Sequence, residues 1–72
     1  MSWVRIEREN SNYLIKEEYI NSLDLNSNCF LYEKYLFNDN DVEIEYYKKI
    51  ISKEEKEKLL FEGNWKKIEI NN

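Results

Sequence analysis

The fold depends on the stretch Tyr13–Leu23, which reads Tyr-Leu-Ile-Lys-Glu-Glu-Tyr-Ile-Asn-Ser-Leu. At helical spacing its apolar residues share one face, and Asn12 stands where a helix N-cap is wanted. The residues of that face are Ile15, Tyr19, Ile20 and Leu23. As a strand, the same stretch would pair with the segment before it through a turn at Asn10-Ser11-Asn12. The helix is favoured, and the hairpin is the alternative.

Alternating apolar and polar residues predict strands on both sides of this stretch. Trp3–Glu7 alternates before it, and Val42–Tyr46 alternates after it. The aromatic-rich run 30–37 precedes Asn38-Asp39-Asn40-Asp41, residue types that tolerate turn conformations. The runs 30–37 and 42–46 therefore predict a β-hairpin.

The strongest local signal is a helix start at Ser52. The order Ser52-Lys53-Glu54-Glu55 is a capping box, in which the Ser52 side chain accepts from the backbone amide of Glu55. Gly63, the single glycine of the chain, stands where a helix often ends in the left-handed region. These residues predict a helix over about 53–62.

The element order indicates an α+β fold. Trp65–Ile70 ends in strand-like alternation, so the predicted order is βαββαβ. That order suits a split βαβ, ferredoxin-like sandwich with both helices on one face of a four-stranded sheet. The alternative is a mainly antiparallel β meander with one helix at about 53–62. At 72 residues, either version makes residues 1–72 a single domain.

Composition excludes several classes of function. The chain has no histidine, the commonest general base and metal ligand, so we expect no enzyme, no metal and no cofactor. Cys29 is the single cysteine, so the sequence encodes neither an internal disulfide nor a zinc cluster, which fits the cytoplasm. No apolar run approaches ~18 residues, so we expect no membrane span.

The densest acidic stretch of the sequence predicts an interaction site. Its members are Asp39, Asp41, Glu43 and Glu45, with no cation between them. On a strand, a spacing of two would place all four on one face, as a negative stripe that docks on a basic surface of another protein. The alternative is a solvated strand face. A calcium loop is excluded, because the glycine and the final glutamate of that motif are missing.

Aromatic residues form the second predicted site. If Val4, Ile6, Ile68 and Ile70 face the core, then the tryptophans Trp3 and Trp65 point outward. Tyr47 follows Glu45 on the same face. Exposed aromatics with a charged rim are typical of interface anchors. The alternative is that a terminal tryptophan folds back over the edge of the core.

Together these features predict a small, acidic, non-enzymatic binding protein of net charge −4. The type of function expected is that of an inhibitor, such as an immunity protein, an antitoxin or a phage anti-defence protein. It would mask a basic, nucleic-acid-binding surface of its partner, without itself contacting nucleic acid or membrane. The alternative is a self-assembling scaffold subunit that meets its own copy through an aromatic sheet face or an edge strand such as 30–37.

Overall fold

The structure, a computed structural model, describes residues 1–9, 14–26 and 28–68 of the chain. In chain order the elements are β1 (Ser2–Glu9), β2 (Leu14–Ser22), β3 (Cys29–Phe37), β4 (Glu43–Ser52), α1 (Lys53–Phe61) and β5 (Lys66–Ile68). The strands form one five-stranded sheet in the order β4-β3-β2-β1-β5. Every neighbouring pair is antiparallel.

The first four strands form a meander, and the helix carries the chain from one edge of the sheet to the other. β4 and β5 lie at opposite edges of the sheet, four antiparallel pairings apart, and therefore run in the same direction. The crossover spans four strand spacings, about 19 Å. A helix of nine residues, at ~1.5 Å per residue, with the residues after it covers that span.

The favoured helix over 13–23 is wrong, and the alternative strand is what forms. β2 pairs along its whole length with β1, with Arg5 opposite Glu18 and Trp3 opposite Ile20. Ile20 is fully buried while Tyr19 points to the other side of the sheet, so the residues that would share a helical face are split. The expected turn at 10–12 and the Asn12 cap lie outside the described residues.

The ferredoxin-like βαββαβ sandwich is therefore wrong. One helix, not two, packs on the sheet in the part of the chain that the structure describes, and the sheet has a fifth strand. The architecture is closer to the alternative, a mainly antiparallel meander with one helix. The edge strand expected at 30–37 is the interior strand β3, and β4 is the edge.

The two faces of the sheet differ because α1 covers one of them. The helix face carries the buried core of Ile20, Phe30 and Ile51. Against this core pack Trp3, Tyr32, Leu59, Leu60 and Trp65. The opposite face, called the open face here, carries residues at alternate positions of each strand, and no described helix covers it. Its central residues are Ile6, Glu17, Tyr19, Glu33, Tyr35, Phe37 and Tyr46.

The helix begins and ends close to the predicted residues. Glu55 N donates to Ser52 Oγ at 3.2 Å, which confirms this half of the capping box. Gly63 follows the helix with φ +91°, where a side chain would be strained. A helix of nine residues is marginal alone. Leu59 and Leu60 hold it on the sheet, and the buried Lys56 places Nζ 4.9 Å from the Phe30 ring centre.

None of the helices in the described ranges has the length and apolar character that a membrane crossing requires.

Candidate functional site

A buried ion pair occupies the centre of the helix face. Arg5 and Glu18 are 6% and 3% exposed, and Arg5 Nε and Nη2 donate to the two Glu18 oxygens at 2.9 and 3.0 Å. Tyr32 Oη donates to the same carboxylate at 2.6 Å. The Trp65 ring lies 4.5 Å from the Arg5 guanidinium carbon, so the arginine sits between a carboxylate and an aromatic ring. This arrangement satisfies both charges without water.

The ion pair shifts the pKa values of its neighbours. Burial alone would raise the pKa of Glu18, but the hydrogen bonds from Arg5 and Tyr32 and the charges of Arg5 and Lys16 outweigh it and lower that pKa. Burial and the hydrogen bond to Glu18 raise the pKa of Tyr32 well above its ordinary value. Glu18 is therefore charged and Tyr32 neutral at neutral pH, so the cluster is a structural one in which neither group is poised to transfer a proton.

The two tryptophans belong to the core and not to an outward face. Trp3 is partly buried, with its ring centre 6.2 Å from that of Phe30. Trp65 Nε1 donates to the Leu59 carbonyl at 2.8 Å, which ties β5 to the end of the helix. The expectation that Val4, Ile6 and Ile68 face the core is wrong, since they lie on the open face and Ile6 and Ile68 are 62% and 38% exposed. Ile70 lies outside the described residues. The structure has the alternative arrangement, in which the tryptophans pack over the core.

The four acidic residues do not form one stripe. Asp39 and Asp41 lie in the turn before β4, where Asn38 Oδ1 accepts from the amides of Asn40 and Val42. Glu43 and Glu45 lie on β4, but a register irregularity places them opposite the consecutive residues Phe37 and Leu36. Consecutive strand residues point to opposite faces, so these carboxylates diverge. All four are exposed.

Tyr47 lies on the helix face at the edge strand. It is 45% exposed, contacts the Tyr32 ring with centres 6.2 Å apart, and has Lys34 Nζ 5.8 Å from its ring centre. It lines a shallow groove of about 320 Å³ between β4 and α1. Of the three aromatic residues predicted as anchors, Tyr47 alone is exposed. It lies on the same face as the two tryptophans but is separated from them by the core.

The open face carries a cluster of aromatic side chains that spans three strands. Tyr35 lies at its centre, with the ring centres of Tyr19, Phe37 and Tyr46 at 5.9, 6.1 and 4.8 Å. The cluster borders a shallow depression of about 290 Å³, lined by Glu17, Tyr19, Asn21, Glu33, Tyr35 and Phe37. Tyr46 is exposed and the other three side chains are partly buried. A cluster of partly exposed aromatic side chains on a small domain is typical of a binding site.

Tyrosine hydroxyls bind the two carboxylates at the centre of this face. Tyr19 Oη donates to Glu17 at 3.0 Å. Glu33 Oε2 accepts from Tyr46 at 2.8 Å and from Tyr35 at 3.2 Å. The hydrogen bond to Glu33, with burial and the charge of Glu33, raises the pKa of Tyr46 to about 12. Burial and the bonds to their glutamates also raise the pKa values of Tyr19 and Tyr35. All three rings are therefore neutral donors at neutral pH.

Charge on the open face is divided between centre and margin. Glu17 and Glu33 lie on the interior strands β2 and β3, and the cations Arg8 and Lys66 lie at a strand end and on an edge strand. Lys48, on the edge strand β4, lies directly opposite Glu33, so the centre of this face has two carboxylates and one lysine. Among the ion pairs of the described ranges, none includes Glu17 or Glu33. The centre of the aromatic cluster is therefore negative.

The sequence contains a signal for this site that lies outside its densest acidic stretch. Leu31, Glu33, Tyr35 and Phe37 alternate with residues of the other face, and Glu17 and Tyr19 repeat the pattern on the neighbouring strand. A glutamate followed two residues later by a tyrosine on each of two paired strands indicates one acidic aromatic surface. Recognising it requires the strand assignment of 13–23.

Metal binding has little support in the described part of the chain. No group of three or more Asp, Glu or Cys side chains comes together there in a way that could hold an ion.

No protein-family model matches the chain, and neither a curated protein nor a solved structure is similar to it.

Proposed function

We propose that this chain is a non-enzymatic, cytoplasmic binding module that covers an arginine-bearing, basic surface of a partner protein with its open face. One observation carries the proposal. Glu17 and Glu33 each accept from tyrosine hydroxyls beside aromatic rings, as Glu18 does, but unlike Glu18 they have no arginine.

The ion pair of the helix face shows which chemical group fits a carboxylate beside an aromatic ring. There the chain itself provides Arg5, which binds a carboxylate through two donors and stacks on an aromatic ring. A guanidinium fits this pair of groups better than an ammonium, because it is planar, forks toward a carboxylate and is weakly hydrated. A partner's arginine placed over Tyr35 would find Glu33 on one side and Glu17 on the other strand.

The proposal moves the acidic site from the residues expected in the turn to the open face. Asp39 and Asp41 are exposed in the turn before β4 and do not line the depression beside the aromatic cluster, so they provide charge but little contact area that a partner could desolvate. The expected type of function, an inhibitor that masks a nucleic-acid-binding surface, is retained as part of the proposal. Carboxylates at the centre of the face oppose direct contact with phosphate.

Self-assembly through the open face is the rival function, and the charge distribution argues against it. In a twofold contact centred on the aromatic cluster, Glu17 and Glu33 would meet their own copies, so that four carboxylates would be buried together. A partner that brings cations avoids that cost.

The test compares two variants of equal charge. Tagged protein is used to capture partners from the host lysate at low salt, and the variants are Glu17→Gln/Glu33→Gln on the open face and Asp39→Asn/Asp41→Asn in the turn. The proposal expects one stoichiometric partner that wild type and the turn variant retain and the open-face variant loses. Equal loss in both variants would show that only net charge matters and would contradict the proposal.

A further inference from the structure

In the part of the chain that the structure describes, β4 is an edge strand whose outer side pairs with no other strand. It has ten residues, and Glu43–Ile50 are all exposed. Along its outer side it offers backbone donors and acceptors that a further strand can pair with. The acidic residues of β4 precede its basic residues, since Glu43 and Glu45 come first and Lys48 and Lys49 follow.

An acidic start and a basic end make the strand complementary to itself in the antiparallel direction. In a twofold pairing, residues directly opposite each other lie on the same face, so the axis must pass through a residue. An axis at Lys48 or Lys49 opposes two lysines, and an axis at Glu45 opposes two glutamates, which is unfavourable. An axis at Tyr46 leaves Glu45 opposite Tyr47. It would also set Glu43 against Lys49, but the register irregularity places these two side chains on opposite faces of the sheet, so no charge pair forms.

The axis at Tyr47 gives a favourable pair at every position from 45 to 49. Glu45 faces Lys49 of the second copy, and Tyr46 faces Lys48 of the second copy, each pair occurring twice. The two Tyr47 side chains meet on the axis. Lys49, whose Nζ lies 3.4 Å from Glu55 of its own helix, would then lie between two carboxylates. The register irregularity near Glu43 falls outside this segment.

We propose that two copies of the chain pair through β4, antiparallel, about a twofold axis at Tyr47. The product is a continuous ten-stranded sheet. Because the axis is perpendicular to the sheet, both helices lie on one face and both open faces lie side by side on the other. This inference does not depend on the proposed function, since each open face remains accessible in the dimer.

The first test exchanges the charges of one facing pair. Glu45→Lys turns two attractive pairs into two repulsive ones and weakens the dimer by roughly tenfold or more. Glu45→Lys/Lys49→Glu restores opposite charges and recovers the dimer. Glu54→Lys makes the same change of charge on the helix, away from the edge, and leaves the dimer intact. Mass by sedimentation over a concentration series is measured, with circular dichroism to confirm folding.

The second test reports the register. In a Cys29→Ser background, which removes the exposed native thiol, Tyr47→Cys places two thiols opposite each other on the axis, and they oxidise to a disulfide-linked dimer. Ile50→Cys is the matched control, since its copies lie about 20 Å apart in this register. A wild-type monomer at all concentrations, a dimer indifferent to Glu45→Lys, or equal crosslinking at 50 and 47 would each overturn the proposal.

Discussion

Arg5 and Glu18 face each other on neighbouring strands and form two hydrogen bonds, at 2.9 and 3.0 Å, in the interior of the helix face. Only three hydrophobic residues are buried in the described part of the chain, so this ion pair is a large part of what lies beneath the helix. Its aromatic neighbours Tyr32 and Trp65 are held by the same groups. The pair therefore links the sheet to the segment that follows α1.

Breaking one side of this pair should destabilise the fold strongly. Arg5→Met leaves the buried Glu18 carboxylate without its arginine, at a cost of about 3–5 kcal/mol, a large part of the stability of a small domain. Glu18→Gln should cost less, because Arg5 keeps Glu7, Glu62 and the Gly63 carbonyl at 3.3 to 3.5 Å. The double variant should cost less than the sum, because neither charge remains. Urea unfolding measures all three, and Lys16→Met, at the margin of the cluster, is the control. Additive single costs would show that the two residues act independently.

The lowered pKa of Glu18 predicts a loss of stability in acid. A carboxyl group whose pKa is lower in the folded protein than its ordinary 4.5 contributes fully above that value. The contribution is lost as the pH falls through the folded pKa. Thermal unfolding from pH 7 downward should therefore show a decline below about pH 4.5, and Glu18→Gln should flatten it. If Glu18→Gln shows the same fall in melting temperature at low pH as wild type, other carboxylates cause the decline.

The same ion pair explains why the sequence predicted the wrong faces. Hydrophobicity alone predicts that Val4 and Ile6 of β1 face the core. The structure places Arg5 inside, because Glu18 on β2 satisfies it. When a charged residue is buried against a partner distant in sequence, the alternate residues of its strand exchange faces. The tryptophans predicted to point outward therefore point toward the core.

Local signals were more informative than long-range ones. Ser52, Glu55 and Gly63 set the helix to within a residue, because caps depend on neighbouring backbone. The segment 13–23 had helical spacing but forms a strand, since pairing with β1 and β3 decides it. The acidic aromatic cluster depends on that pairing and could not be predicted before it.

Hydrogen bonding on the open face should appear in the titration of its tyrosines. Glu33 raises the pKa of Tyr46 to about 12, so Glu33→Gln should return that pKa toward its ordinary value of 10.0. Glu17→Gln changes the same charge two strands away and should leave Tyr46 nearly unaffected. Absorbance of tyrosinate during alkaline titration, with Tyr46→Phe to assign the step, measures the shift. Equal shifts in both variants would indicate general charge and not the hydrogen bond.

Trp65 should act on stability and not on binding. Trp65→Ala removes the indole bond to Leu59 and the ring beneath Arg5. Because Trp65 is partly buried, the cost should lie below the about 3–5 kcal/mol of a fully buried aromatic. The melting temperature should fall accordingly. Trp65→Phe keeps part of the packing and should lose less. If Trp65→Ala leaves the melting temperature unchanged but abolishes partner capture, the tryptophan is an interface anchor after all.

Amide chemical-shift mapping of the labelled chain with its captured partner shows whether that partner covers the open face. We expect the largest changes at Glu17, Tyr19, Glu33 and Tyr35, on the two interior strands. Small changes are expected in the turn 38–42 and in α1. Changes confined to that turn, or to the groove between α1 and β4, would contradict the account and return the binding site to the residues of the acidic run or to Tyr47.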